Sequence, residues 1–255
     1  MFKIIQIPVL QDNYVYLVHE SEACQTAVVD PALAGPVLDE LASRGWRLDY
    51  VLNTHHHGDH IGGNLELKRK TGCQVVGCRA DSARIPGIDI RLDEGETFAF
   101  GFAWAQVIAV SGHTRGHIAY WFPEHKALFC GDTLFSMGCG RLFEGTPTQM
   151  WDSLSRLMQL PTDTRVYCAH EYTHTNGRFA LTLEPRNPEL QLRMQEVERL
   201  RRQHRATVPS TLDDELRTNP FLRVASPEIQ KSLAMEFENP VEVFAEIRRR
   251  KDRFH

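Results

Sequence analysis

The chain has 255 residues, with 29 Lys and Arg against 33 Asp and Glu, a formal net charge of -4. That length suits one large domain, or a domain with a smaller appendage, and 42% hydrophobic with 24% charged residues excludes a disordered chain. The mild acidity gives no general basis for nucleic-acid binding, and no run approaches the ~18 consecutive apolar residues of a membrane span.

In chain order, the apolar opening MFKIIQIPVLQDNYVYLV is interrupted by Lys3, Pro8 and Asp12 and has no small-residue cleavage site. It reads as paired strands, not as a signal peptide. Short β-branched runs bounded by turn residues continue through TAVVDP, YVLNTH, CQVVGC, WAQVIAV, IAYWF, ALFCGD and RVYCAH. Helical spacing falls between some of them. Val37, Leu38 and Leu41 mark a helix over 36–42, and a second is expected over 61–70. Thr146-Pro147 reads as an N-cap with Pro at the first helical position, ahead of a stripe of Met150, Trp151, Leu154, Leu157 and Met158.

Beyond about residue 172 the strand signals stop. A helix is expected over 189–204, and Ser226-Pro227 and Asn239-Pro240 are two further cap-plus-Pro starts. A polar connection over 205–223 contains TNPFLR. The expectation is an α+β protein: two packed sheets covered by helices over 1–172, then a small helical domain over 173–255. Cys24, Cys73, Cys78, Cys130, Cys139 and Cys168 form no C-x-x-C. They read as reduced, mostly buried thiols of a cytoplasmic protein.

The chemistry is concentrated in Thr54-His55-His56-His57-Gly58-Asp59-His60. In an extended turn His55 and His57 point to one side, because side-chain direction alternates. Asp59 and His60 are adjacent and are expected to diverge, so that one loop could feed two neighbouring metals. A solvated polar loop is the alternative, disfavoured because a buried-type strand precedes it and a helix follows. Three later segments repeat the placement: His113, Asp132 and His170 each stand just past a strand. Imidazole and carboxylate suit Zn²⁺, Fe and Mn²⁺.

With these ligands in view, HHHGDH resembles the H-x-H-x-D-H signature of the metallo-β-lactamase superfamily. The resemblance implies an αββα sandwich and two divalent metal ions, Zn²⁺ by default with Fe or Mn²⁺ possible. His55, His57 and His113 would hold the first, Asp59, His60 and His170 the second, and Asp132 would bridge them. GCGRLFEGT, AHEYT, TNPFLR and the terminal RRRKDRF further resemble glyoxalase II, the hydroxyacylglutathione hydrolases, over nearly the whole chain from Asp12-Asn13-Tyr14 onward. That family cleaves S-(2-hydroxyacyl)glutathione, typically S-D-lactoylglutathione, to glutathione and a 2-hydroxy acid such as D-lactate.

By the same resemblance Asp59 and Asp132 act as catalytic ligands, with metal-activated water as nucleophile. Arg141, Phe143, Tyr172, Arg248 and Lys251 match substrate-binding positions, Arg141 standing where Lys is more usual and Phe143 where some members have Tyr. The alternative for the terminal basic run is a solvated helix end stabilised by the helix dipole. His56 is expected to face away from the metals, Asp30 to support a turn or a ligand, and His117 either to support a ligand or to stabilise a turn. Cys139 and Cys168 are expected to pack. The competing functions are a mono-iron persulfide dioxygenase, a metal-dependent nuclease and an idle glutathione- or thioester-binding protein. The complete ligand set, the terminal basic motif and the lack of a broad basic surface favour the hydrolase, acting as a monomer without nucleic-acid or membrane partners. The charge is uneven: residues 1–172 hold 14 basic and 20 acidic groups, and residues 173–255 hold 15 and 13. A small dianion would thus meet its cations near the C-terminus.

Overall fold

A computed structural model describes residues 1–254; His255, which carries no assigned role, lies outside them. The chain divides into two compact units. One comprises Met1–Val110 with Thr114–Gly131, the other Ser111–His113 with the chain from Asp132 onward.

The first unit opens with an antiparallel meander, β1 (Phe2–Val9), β2 (Asn13–Glu20) and β3 (Gln25–Val29). Helix α1 (Ala34–Arg44) then crosses over to β4 (Tyr50–Leu52), which pairs parallel to β3. Helices α2 (Gly58–Ile61) and α3 (Asn64–Thr71) lead to β5 (Gln74–Cys78), and β6 (Ile88–Leu92) completes a mixed sheet in the order β1-β2-β3-β4-β5-β6. Parallel neighbours need such crossovers because a tight turn can only reverse the chain. The second set is antiparallel: β7 (Thr97–Phe100), β8 (Ala103–Ala109), β9 (Ile118–Phe122) and β10 (Ala127–Gly131).

Every residue of β2 is buried, as expected of a strand covered on both faces. One face packs under the helices: Val15, Leu17, Val28, Val51 and Val75 share a core with Val37, Leu41 and Leu67. The other face meets the second set through rings, with Tyr16 on Phe129 at 5.6 Å, Phe2 on Phe122 at 5.0 Å and Tyr50 on Phe98 at 5.1 Å. Tyr120 is wholly buried between them and donates to the Asn53 carbonyl at 3.0 Å.

The second unit holds the hairpin β11 (Leu134–Phe135) and β12 (Gly138–Cys139), then α4 (Pro147–Leu157), β13 (Arg165–Cys168), α5 (Thr173–Leu183) and α6 (Pro188–Arg202). It continues with β14 (Ser210–Thr211), α7 (Leu212–Thr218), α8 (Pro227–Leu233) and α9 (Pro240–Asp252). Thr146 caps α4 as expected, and Gln149 closes a capping box with it. Asn187 and Asn239 cap α6 and α9.

Several elements depart from the expected pattern. Strands β6 and β7 were hidden, because IDIRL and TFAF are short and half-exposed. The helix expected over 61–70 is broken at Gly62-Gly63, where the backbone runs against Pro31 and Ala32. A Cβ at Gly62 would lie 2.5 Å from the Ala32 carbonyl oxygen. Helix α5 starts directly after the AHEY segment, and the polar connection over 205–223 contains β14 and α7. Ser226 does not cap α8; its hydroxyl donates to Glu184 instead.

Candidate metal centre

The histidine-rich loop connects β4 to α2, and Asp30 at the end of β3 organises it. Asp30 adopts φ 49°, a left-handed conformation in which Asp is tolerated. Its carboxylate accepts from the Thr54 amide at 2.8 Å, the Thr54 hydroxyl at 2.7 Å and His60 Nδ1 at 3.1 Å. Both oxygens are thus engaged in holding the loop, in line with a supporting role. Asp30, His55 and His60 are all buried and offer ligand atoms within 4.8 Å of one another.

The alternation holds for His55 and His57, whose Nε2 and Nδ1 stand 3.1 Å apart. The expected divergence of Asp59 and His60 does not hold: Asp59 Oδ2 lies 3.6 Å from His60 Nε2. The reason is local. Both residues sit in α2, so the strand rule of opposed neighbours does not apply. Asn13, at the start of β2, donates to Asp59 Oδ2 at 3.0 Å and also approaches the Asp59 carbonyl at 3.3 Å. Asn13 belongs to the DNY segment, but nothing local points to a partner 46 residues away. His56 turns aside to Asp81 at 2.9 Å. His117 stacks on His55, with centroids 4.5 Å apart and 14° between planes, and its Nδ1 lies 3.2 Å from the Ile118 carbonyl.

In the second unit, Asp132 stands between two imidazoles. Its Oδ2 is 3.4 Å from His113 Nε2 and its Oδ1 is 3.4 Å from His170 Nε2. His113 Nδ1 donates to the Arg141 carbonyl at 2.8 Å. Tyr172 stacks on His170 at 4.8 Å with planes 2° apart, and Phe143 lies edge-on to His113 at 5.2 Å.

The cations of the C-terminal motif differ in accessibility. Arg141 is exposed, with its Nε 3.9 Å from Asp252. Lys251 lies over the rings of Phe179 and Phe254 at 5.9 and 5.7 Å. Burial, then the neighbouring charges of Arg248 and Arg141, lowers its ammonium below the ordinary lysine range. Arg248 is only 6% exposed. Its guanidinium donates to the Cys139 carbonyl at 2.8 Å and to Asp252 at 3.0 Å, so packing already occupies much of it. Burial pushes the Cys139 thiol up to about 11 and the Cys168 thiol to about 12, which fits packing residues.

The donor set fits divalent cations. It consists of imidazole and carboxylate only, and in His60 and His113 the Nδ1–H is bonded to a carboxylate or a carbonyl. That bond fixes the tautomer and leaves the Nε2 lone pair, 3.6 or 3.4 Å from a carboxylate oxygen, as the donor.

The comparisons agree with this chemistry. The metallo-beta-lactamase superfamily model matches residues 9–170, and the model for the hydroxyacylglutathione hydrolase C-terminus matches residues 171–254. The fold and donor set thereby define the class, a protein of the metallo-beta-lactamase superfamily. A hydroxyacylglutathione hydrolase of Methylococcus capsulatus is 63% identical over 100% of this chain and 99% of its own. One of Rhodospirillum rubrum is 55% identical over 98% of this chain and 97% of its own. The crystal structure of TTHA1623 in a di-iron-bound form aligns with a TM-score of 0.61 and 28% identity, over 86% of this chain and 100% of that one. The chain belongs to the hydroxyacylglutathione hydrolase family.

Proposed function

We propose that the protein hydrolyses S-(2-hydroxyacyl)glutathione thioesters, S-D-lactoylglutathione among them, to glutathione and a 2-hydroxy acid. Two divalent metal ions, Zn²⁺ by preference, would be held by His55, His57 and His113, by Asp59, His60 and His170, and by Asp132 shared between them. The observation that carries this reading is the position of Asp132, with one carboxylate oxygen facing each of two imidazole Nε2 atoms at 3.4 Å. Such ions would polarise a thioester carbonyl and make water nucleophilic near neutral pH.

The chain's own residues orient and bind. Asp30 and the Arg141 carbonyl hold His60 and His113 by Nδ1, and Tyr172 sets the plane of His170. Arg141 and Lys251, supported by the buried Arg248, supply positive charge for a glutathione carboxylate. Tyr172 offers a hydroxyl, which Phe143 lacks. The leaving thiolate has a solution pKa of about 8.5, so no dedicated general acid is required. In this reading residues 1–172 hold the metals and 173–255 contribute the glutathione contacts. Among the described residues no helix is long and apolar enough to cross a membrane, and we take the enzyme to act in the cytoplasm as a monomer.

The test is an S-D-lactoylglutathione hydrolysis assay on protein of measured metal content. Turnover that scales with two metals per chain is expected. Two metals per chain without thioester hydrolysis overturns the substrate while sparing the metal site.

A further inference from the structure

The hairpin β11–β12 lies between Asp132 at its entry and Arg141 at its exit. Side chains from far along the chain hold its turn. Met137, at the turn, has φ 54°, left-handed for a residue with a Cβ, and such a conformation persists only where its surroundings impose it. Its amide donates to Glu215 Oε2 at 2.8 Å. Asn219 Nδ2 approaches the carbonyls of Phe135 at 3.1 Å and Gly138 at 3.0 Å, and Glu215 Oε2 at 2.9 Å. Asn176 donates to the Ser136 carbonyl at 3.1 Å, and Arg248 donates to that of Cys139.

Glu215 and Asn219 are both 0% exposed. A buried backbone must find partners in the protein, and a hairpin with only two residues per strand supplies few of its own. The arrangement is costly as a stabiliser, because burial pushes the Glu215 carboxyl up. Packed apolar side chains can match buried charged groups for stability, and setting register is the best-attested use of a buried polar group.

The ends of the hairpin are joined tightly. The Gly140 amide donates to the Thr133 carbonyl at 3.2 Å, and a Cβ at Gly140 would fall 1.9 Å from the Asp132 carbonyl oxygen. A shift of the turn would therefore be passed to Asp132 and to the Arg141–Phe143 segment.

We propose that Glu215 and Asn219 are positioning residues: they lock the β11–β12 turn and through it set the placement of Asp132, Arg141 and Phe143. This rests on the hydrolase reading for the substrate, but not for the placement of Asp132. The test compares Asn219→Ala, Glu215→Ala and Glu215→Gln as metal-loaded full chains, with circular dichroism, chelator competition, kcat and KM. In the Glu215→Gln variant the amide oxygen can accept from the Met137 and Asn219 donors as the carboxylate does. Folded alanine variants are expected to lose metal to chelator more readily, with kcat about 10- to 100-fold lower, the cost typical of a small misplacement at a site. Glu215→Gln is expected to restore wild-type kcat, KM and metal retention. A merely structural loss lowers the active fraction and leaves KM and chelator sensitivity unchanged.

A folded Asn219→Ala protein with wild-type kcat, KM and metal retention overturns the proposal. So does Glu215→Gln behaving like Glu215→Ala, or insolubility of both alanine variants, which would assign the pair to folding alone. If the unmodified protein does not cleave S-D-lactoylglutathione, the substrate reading fails, and chelator competition alone decides the clamp.

Discussion

Arg223 grips Glu184 with two parallel hydrogen bonds, Nε to Oε2 at 2.8 Å and Nη2 to Oε1 at 2.9 Å. Glu184 also accepts from Ser226 and Asn187, so Arg223, the last residue of TNPFLR, ties the end of α5 to the start of α8. Burial by itself would raise the Glu184 carboxyl, but the bonds from Arg223 and Ser226 outweigh it and hold the carboxyl below its ordinary range. A depressed carboxylate contributes stability that is present above its unfolded pKa and lost as pH falls through the folded value. Arg223→Ala leaves this buried charge unpaired and is expected to cost about 3 kcal/mol at neutral pH. The deficit should shrink in acid, below the ordinary carboxylate pKa, and thermal unfolding across pH measures it. A pH-independent deficit would contradict the assignment.

Asn13 orients Asp59 through its side-chain amide. Asn13→Ala is expected to weaken metal retention by about 10- to 100-fold, as losses of such supporting bonds do. Chelator competition against the wild-type protein reads this directly, and unchanged retention would show that Asp59 needs no such support.

Tyr172 combines a ring stacked on His170 with a hydroxyl. Tyr172→Phe keeps the stack, so it should raise KM for S-D-lactoylglutathione and leave metal content intact. Tyr172→Ala frees the imidazole plane and should lower metal content as well. Steady-state kinetics with metal analysis separates the two, and equal metal loss in both variants would refute the division of roles.

Lys251 and Arg248 belong to one motif but sit in different environments. Lys251→Ala is expected to raise KM with little change in kcat, since it removes a contact remote from the scissile bond. Arg248→Ala also releases the Cys139 carbonyl, so it should lower kcat and thermal stability together. Because the Lys251 ammonium titrates below its ordinary value, KM should climb as pH rises toward that value, and this limb should vanish in Lys251→Ala.

Five of the six cysteines are buried and only Cys24 is exposed. An alkylating reagent at neutral pH should therefore label one thiol per native chain without loss of activity. Unfolding in denaturant should release the remainder, counted by mass spectrometry.

Local pattern alone places the candidate ligands at strand ends, because alternating β-branched runs and the His or Asp that follows each one are local signals. It also determined the starts of α4 and α9, since cap and proline act within one helical turn. The pairing of His55 with His57 followed from the two-residue alternation of an extended chain, and the same rule failed for Asp59 and His60 because α2 begins between the two pairs. Short strands such as β7 were lost, since half-exposed segments of four residues carry little periodic signal.

The polar groups that brace the candidate ligands and the β11–β12 hairpin emerge only when the chain folds. Asn13 meets Asp59 across 46 residues, Glu215 meets Met137 across 78 and Arg248 meets Cys139 across 109. Such bonds leave no trace in local pattern, because a buried polar group can pair with any complementary group of suitable geometry, wherever in the chain that partner originates. The residue types disclosed the chemistry, and the packing of the chain selected the few side chains that hold it in place.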